Sequence, residues 1–286
     1  MTKIVLIHGG WHGGWCWKKV APLLRAAGHE VYTPTLTGLG ERAHLLSPEV
    51  TLDTHVQDIV GMLEYEDLRE VVLVSHSYGG MVMTSVADRA ADRLTHLIYL
   101  DAFVPQDGQA LADLADPTFY ANLETNARLH GEGWRVPPPP LERWGITDEA
   151  DVRWMRPRIG AHPLKTFKHA VRLTNVAATL LPRTFIYCTD KPAGDSLAPL
   201  AKRLRGNTSW RYRELASGHD AMVTAPNEVA AAPLNTYFQN QRCENGLPGG
   251  NRTPDNRLRR PVLYPAELRA DGKKAHWGGP LPIGRV

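Results

Sequence analysis

One short stretch of the chain, residues 71–82, constrains the fold more than any other. It reads Val-Val-Leu-Val-Ser-His-Ser-Tyr-Gly-Gly-Met-Val, a β-branched run that leads through Ser-x-Ser-x-Gly-Gly into an apolar helical pattern. This is the layout of a nucleophile elbow, a strand-to-helix turn that pushes its central serine out at the top of a sheet. Small residues are needed two before and two after that serine, and Ser75 and Gly79 fill these places. The pattern predicts Ser77 as a nucleophile, and the alternative is an ordinary Ser/Gly-rich loop.

Two further motifs offer the partners that such a serine needs. After an apolar strand at residues 3–7 the chain reads His-Gly-Gly-Trp, and glycines there leave a backbone N–H free to face a substrate oxygen. We expect the amides of Gly10 and Tyr78 to form an oxyanion hole. Far downstream, an alternating strand at 210–215 leads into Ser-Gly-His-Asp, which indicates His219 as a general base carried by a loop.

The acid that would orient His219 is open to two assignments. Serine, acid and histidine follow in this chain order in such sites, and the acid stabilises the protonated imidazole without taking its proton. Asp190 follows a strand at 184–188 and is the first choice. Asp101 ends a strand at 96–101 that also faces the site, and it remains the alternative.

Together these motifs resemble the α/β-hydrolase superfamily, and within it the branch that holds plant hydroxynitrile lyases, plant methylesterases and small bacterial esterases. The resemblance covers about residues 1–240. It implies an α/β fold with a mostly parallel six-stranded sheet, helices on both faces and an inserted helical cap, the first strand lying between the second and third. It also implies acyl transfer through a serine, with no cofactor and no metal.

The same resemblance separates two reactions. The lyases carry a threonine directly after the histidine of the oxyanion loop and a lysine directly after the catalytic histidine, where this chain has Gly9 and Asp220. An acidic side chain beside a developing anion opposes lyase chemistry electrostatically. Hydrolysis of aryl or alkyl carboxylic esters, with bulky hydrophobic esters of the pyrethroid type among them, is the preferred function. A carbon–carbon lyase and a non-catalytic ligand receptor on the same fold remain alternatives.

Strands and helices alternate along most of the chain, which predicts right-handed crossovers and a parallel sheet. The alternation stops between about 105 and 182, where four consecutive prolines and several aromatic residues occur. We expect a hydrolase core at 1–104 and 183–240, a cap at 105–182, and a separate tail at 241–286.

Apolar side chains beside the predicted machinery are the candidates for a substrate pocket, because binding sites are largely apolar with few polar groups. Trp11 adjoins the oxyanion loop, and Phe103 and Leu36 each follow a predicted strand. These three residues are predicted to contact substrate. Most aromatic residues of the cap are explained equally well as its own core.

Composition describes a globular enzyme followed by a basic tail. Hydrophobic residues make up 43% of the chain, enough for a sizeable core, and no apolar run reaches the length of a membrane span. Three cysteines without metal spacing indicate a reducing cytoplasm. The net charge of +3 arises in residues 241–286, which hold nine Lys and Arg against four Asp and Glu and are predicted to be disordered. We expect a small-molecule ester as partner, and neither nucleic acid nor a membrane; the oligomeric state stays open.

Overall fold

The computed structural model describes residues 1–191 and 195–231, and within them the apolar runs of the sequence form a sheet flanked by helices. The strands are β1 Lys3–Ile7, β2 Glu30–Tyr32, β3 Val71–Ser77, β4 Leu94–Ala102, β5 Arg135–Val136, β6 His162–Pro163, β7 Arg183–Cys188 and β8 Arg211–Leu215. The α-helices are α1 Ala21–Ala26, α2 Leu52–Tyr65, α3 Gly79–Ala90, α4 Leu111–Leu114, α5 Pro117–His130, α6 Glu149–Met155, α7 Leu164–Lys168, α8 Val176–Thr179, α9 Ala198–Leu204 and α10 Ala221–Thr224. Short 3-10 helices occupy Gly14–Lys19, Gly40–Leu45, Ala91–Arg93 and Leu141–Trp144.

Six strands form one sheet in the order β2-β1-β3-β4-β7-β8, and every neighbouring pair is parallel. Strand β3 lies near the centre, with Val72 opposite Ile4 on one side and His96 on the other. Its first six residues are all buried, because helices cover both faces of a parallel sheet and its strands read as continuous apolar runs. The predicted six-stranded sheet, with β1 between β2 and β3, is confirmed.

Helix α2 precedes β3 in the chain and helix α3 follows it. Helix α2 begins with a capping box in which Thr51 and Thr54 exchange side-chain and backbone hydrogen bonds, and such a box satisfies two orphan amides of the first turn. It buries Val56, Ile59 and Leu63 at helical spacing. Helix α3 begins two residues after Ser77, without an intervening loop. The strand-to-helix turn expected from the sequence is therefore present.

Two glycines let helix α3 approach the sheet closely. A Cβ atom on Gly80 would lie 2.0 Å from the Phe103 carbonyl oxygen, and one on Gly79 would lie 2.7 Å from that of His8. Both neighbours are backbone atoms, which cannot rotate away as a side chain can. The N-terminus of α3 is thereby held against the ends of β1 and β4, which carry the other predicted site residues.

The segment between β4 and β7 contains helices α4 to α8 and the antiparallel pair β5–β6. Several of its apolar side chains, among them Trp144 and Phe167, are buried in the same cluster as the sheet residues. Its separation as a cap at 105–182 stays a prediction. Residues 226–231 are helical, and residues 232–286, which include the predicted tail, lie outside the described residues. Within the described residues, no helix is both long and apolar enough to cross a membrane.

Substitution of Gly80 tests this close approach. Gly80→Ala is expected to lower the free energy of unfolding by about 1–3 kcal/mol, because overpacking forces backbone movement. Gly61→Ala in α2 is the matched control, since a Cβ there meets nothing within 4 Å, and it should stabilise by about 0.5–1 kcal/mol. Urea unfolding of both variants measures the two changes. Equal stability of Gly80→Ala and the wild type would contradict the packing described here.

Candidate active site

Ser77 lies at the point where β3 ends and α3 is about to begin. Its φ angle is +54°, a left-handed conformation that non-glycine residues rarely adopt. Such strain persists only where the surrounding structure enforces it, and it concentrates at functional sites. The side chain is half-buried and lines an open cleft. This is the geometry that the elbow motif predicts for an exposed nucleophile.

His219 lies in the loop after β8, and the structure pairs it with Asp101. Its Nδ1 donates to Oδ2 of Asp101 over 2.6 Å. Asp101 is the last but one residue of β4, is fully buried, and has a φ angle of +43°. Because Nδ1 is engaged by the carboxylate, Nε2 is the nitrogen left to accept a proton. His219 and Ser77 line the same cleft.

The first choice for the acid, Asp190, is not the residue that contacts His219. Its carboxylate is exposed and accepts a hydrogen bond from the neighbouring Thr189 hydroxyl at 3.1 Å. Its backbone N–H donates to the Ser217 carbonyl oxygen, which fixes this residue at the rim, beyond the end of β7. The alternative from the sequence, Asp101, occupies the position instead.

Lys191 is a residue of the site that the sequence did not single out. Its ammonium donates to both carboxylate oxygens of Asp101, at 2.8 and 2.9 Å, and forms an ion pair with Asp195 at 2.7 Å. Its side chain is 6% exposed and lies 4.2 Å from the centre of the Tyr187 ring. Charge-assisted bonds of this kind are stronger than neutral ones, so Asp101 is held as a carboxylate from two directions.

The peptide between Gly9 and Gly10 is oriented by the buried ring of His8. The Leu36 N–H donates to Nε2 of His8 at 3.0 Å, so the proton of the neutral ring must be on Nδ1. Nδ1 then donates to the Gly9 carbonyl oxygen at 2.8 Å. Burial lowers the pKa of His8 to about 3, in agreement with this neutral form. Because C=O and N–H of a trans peptide point in opposite directions, the Gly10 N–H is directed away from His8.

The next peptide, between Gly10 and Trp11, is fixed on both sides as well. His12 Nδ1 donates to the Gly10 carbonyl oxygen at 2.7 Å, and the Trp11 N–H donates to Nδ1 of His162 at 3.2 Å. His162 completes its bonds through Nε2 to Thr166. His162 itself is fully buried. Its burial follows from the packing of the 105–182 segment, which spacing along the chain does not reveal.

The second expected oxyanion donor, the Tyr78 amide, is the N-cap position of helix α3. Among the described residues, neither the Tyr78 nor the Gly10 N–H donates to another protein group. The Tyr78 hydroxyl bonds Nδ1 of His55 at 2.9 Å, and His55 Nε2 donates to the Thr37 carbonyl. The side chain is thus anchored while its amide remains available at the positive end of a helix dipole.

The cleft beside Ser77 is partly open to solvent. Its walls are mostly aromatic and aliphatic, with a few charged or polar side chains among them. The lining residues are Trp11, Ser77, Tyr78, Phe103, Leu111, Phe119, Leu123, Arg143, Trp144, Phe167, Lys191, Asp195, Ser196, Leu197 and His219.

Two of the three predicted pocket residues line this cleft. Trp11 packs edge-on against Phe167 with ring centres 5.5 Å apart, and Phe103 follows β4. The third, Leu36, does not line it: the side chain is fully buried in the core and its amide supports His8. A residue that follows a strand can face either the core or the cleft, and its position in the sequence does not show which.

The comparison with the lyases needs one correction. Asp220 was expected to face a developing anion, but its carboxylate is buried against His12 and is absent from the cleft lining. Gly9 leaves room for Ser77, because a Cβ there would lie 2.9 Å from the Ser77 Cβ. The difference from the lyases at Gly9 therefore stands, whereas the electrostatic argument from Asp220 does not.

His76, His219 and Asp220 place ligand-type atoms within 4.8 Å of one another. One such atom of each is engaged within the protein: His219 Nδ1 by Asp101, Asp220 Oδ2 by His12, and His76 Nε2 by the His219 carbonyl at 3.0 Å. Among the described residues, His76 Nδ1 and Asp220 Oδ1 have no hydrogen-bond partner. The chemistry proposed below does not use a metal ion.

The fold and site define a hydrolase with a serine, histidine and acid at the carboxyl edge of a parallel sheet. The chain matches the alpha/beta hydrolase family over residues 4–232, and it belongs to that family. It is 40% identical over 238 residues to a carbendazim hydrolyzing esterase from Nocardioides sp. (strain SG-4G), covering 80% of this chain and 97% of that protein. It is 33% identical over 199 residues to methylesterase 7 from Arabidopsis thaliana, covering 66% and 73%.

A solved structure is similar over nearly its whole length. It is an extracellular α/β-hydrolase from a Paenibacillus species, described as sharing structural and functional homology with tobacco salicylic acid binding protein 2. The TM-score is 0.70 at 25% identity, with 82% of this chain and 98% of that chain covered. The predicted family and fold are confirmed.

The buried histidines predict how the protein responds to acid. Burial lowers the pKa of five of them, His8, His55, His76, His96 and His162. Between the lowered folded pKa and the unfolded value near 6.5, only the unfolded chain binds the proton, so stability falls as pH falls. Each of these histidines lowers the free energy of unfolding by about 1.4 kcal/mol per pH unit in this range, and the five together lower it by about 7 kcal/mol per pH unit.

Because domains of this kind are stable by about 5–15 kcal/mol, we expect cooperative unfolding between pH 6 and 4. Urea unfolding at a series of pH values measures the slope. His96→Gln, which removes one of the five groups at a distance from the cleft, should reduce the slope by about a fifth. A urea midpoint that stays constant from pH 7 to 5 would contradict this account.

Proposed function

We propose that this protein is a serine carboxylesterase that works through an acyl-enzyme on Ser77. The observation that carries the proposal is the left-handed backbone of Ser77 in the same cleft as the His219–Asp101 hydrogen bond. The relatives that are named esterases support ester hydrolysis, and the serine mechanism is our inference from the geometry.

In the first half of the reaction, His219 Nε2 takes the Ser77 proton as Oγ attacks the ester carbonyl carbon. The carbonyl electrons move to oxygen, where the Gly10 and Tyr78 amides stabilise the anion. When the tetrahedral intermediate collapses, the bond to the alcohol breaks, and the alcohol leaves with the proton from His219. Asp101 holds the imidazole and stabilises its protonated form throughout.

In the second half, water replaces the alcohol. His219 accepts a proton from the water as it attacks the acyl carbon, and the same two amides stabilise the second oxyanion. Collapse returns the proton to Ser77 and releases the carboxylic acid. No electron transfer or further co-reactant is involved.

The cleft favours esters with a flat aromatic acyl part. Six aromatic rings contribute to its walls, those of Trp11, Tyr78, Phe103, Phe119, Trp144 and Phe167. The relative from Nocardioides hydrolyses carbendazim by its name, and carbendazim is a flat heteroaromatic carbamate ester. We therefore propose small aromatic esters and carbamate esters as the substrate class. The expected cytoplasmic location and the cap at 105–182 remain predictions.

The Ser77→Ala variant is the direct test of the nucleophile. We expect a loss of at least about 10³-fold in kcat on p-nitrophenyl acetate and butyrate, because the residual rate rests on the oxyanion hole and binding alone. Mass spectrometry should find a fluorophosphonate adduct on the Ser77 peptide of the wild type. Ser85→Ala is the matched control, since that serine lies in α3 and bonds only the Met81 carbonyl. Full activity of Ser77→Ala in folded protein would refute the assignment.

A second pair of variants decides which acid serves His219. Asp101→Asn should lower kcat by about 10⁴-fold, the loss typical when the carboxylate of such a triad becomes an amide. Asp190→Asn, with its exposed side chain, should stay within about twofold of the wild type, because exposed sites away from the chemistry change little. Steady-state kinetics on p-nitrophenyl butyrate compares them. The reverse order of losses would assign the role to Asp190.

A further inference from the structure

We propose that His12 and Asp220 form a buried ion pair that positions the oxyanion loop relative to the catalytic histidine. His12 lies in the loop after β1, and Asp220 directly follows His219. His12 Nε2 is 3.0 Å from Oδ2 of Asp220, and the side chains are 2% and 0% exposed. Neither residue lines the cleft. This role rests on the proposed esterase function.

The hydrogen bonds of His12 fit a doubly protonated ring. The Gly10 carbonyl at Nδ1 can only accept, so Nδ1 carries a proton. An ionised Asp220 at Nε2 also only accepts, so Nε2 carries the other. A histidine with acceptors on both nitrogens is an imidazolium, and its partner here is a carboxylate.

Electrostatics agrees with this assignment. Burial by itself lowers the pKa of His12, but the charge and hydrogen bond of Asp220 outweigh it and the pKa is raised. Burial likewise opposes ionisation of Asp220, yet the charge and hydrogen bond of His12 keep its pKa lowered. Three other titratable rings interact electrostatically with His12, those of His76, 6.1 Å away, His8 and His162, and the pKa of each is lowered by burial. The rings of Trp15 and Trp144 also pack against His12.

The pair connects the oxyanion loop to the segment that carries His219. On the oxyanion side, His12 holds the Gly10 carbonyl, and His8 holds the preceding one, so both peptides that flank the Gly10 Cα are fixed. On the base side, the Asp220 N–H donates to the Trp144 carbonyl, and His76 Nε2 donates to the His219 carbonyl.

A buried ion pair contributes little net stability, because desolvation offsets the attraction, and its best-attested use is to fix geometry. The geometry fixed here is the distance between the oxyanion donors and His219. Since those donors act on the transition state more than on bound substrate, loss of the pair should reduce kcat and leave KM nearly unchanged.

Asp220→Asn is the decisive variant, because it removes the charge and keeps the shape. The asparagine amide bonds a neutral His12 only about half as strongly as a carboxylate bonds an imidazolium, so the oxyanion loop and the segment that carries His219 are held together less firmly. We expect kcat on p-nitrophenyl butyrate to fall by about 10- to 100-fold, the cost of a small misplacement of catalytic groups, with KM within about twofold. His12→Asn should lose a similar factor. The double variant should lose no more than the larger single loss, because both changes break one interaction.

His96→Gln is the control for disturbing a buried histidine. His96 lies near the amino end of β4, where its Nε2 bonds Thr184. The glutamine amide can take over this bond, so kcat should stay within about twofold of the wild type. In the wild type, long-range ¹⁵N–¹H NMR should show both nitrogens of His12 protonated at pH 7, with the signal missing in His12→Asn.

The outcomes separate this inference from the function on which it rests. No ester turnover and no fluorophosphonate labelling of the wild type would overturn both. Wild-type kcat in Asp220→Asn, additive losses in the double variant, or a neutral His12 ring in the NMR spectrum would overturn the positioning role alone.

Discussion

The parallel sheet imposes one constraint on which everything else in this protein depends. Because all six strands run in the same direction, their carboxyl ends meet at a single edge. The proposed oxyanion loop follows β1, the proposed nucleophile Ser77 ends β3, the proposed acid Asp101 lies at the end of β4, and the loop of the proposed base follows β8. Residues up to 211 positions apart in the chain, from His8 to His219, are brought together by strand direction and strand order.

Imidazole rings then hold the backbone at this edge, some of them neutral and one of them charged. His8 and His162 are neutral because each faces a backbone N–H donor, which needs an unprotonated nitrogen. His12 is charged because it faces two acceptors. The same residue type thereby holds both peptides that flank the Gly10 Cα, and the hydrogen-bonding partner of each ring decides its proton count. The buried neutral rings carry a cost in acid that an aliphatic core would not.

Much of the fold and the strand-to-helix turn at Ser77 could be predicted from sequence because both depend on local patterns. Apolar runs of the right length specify strands, and Gly79 and Gly80 mark a turn whose steric reason is visible in the Phe103 contact. His162 and Leu36 could not be placed, because their environment is set by the path of the 105–182 segment and by packing across the sheet. The sequence pattern around these two residues does not show whether their side chains face the core or the solvent.

The choice between Asp101 and Asp190 shows the same limit at the centre of the site. Strands β4 and β7 are neighbours, only about 4.8 Å apart, so a carboxylate from the end of either can reach one imidazole. What separates them is the chain path after each strand. The left-handed φ of Asp101 keeps its side chain inside the sheet edge, where Lys191 and the Cys188 N–H offset the cost of burying its charge. Asp190 lies two residues beyond the end of β7. Its backbone N–H donates to the Ser217 carbonyl, and its carboxylate is exposed to water. An acid with its lone pairs already satisfied by fixed donors need not reorganise when His219 gains a proton, and this preorganisation favours the buried carboxylate.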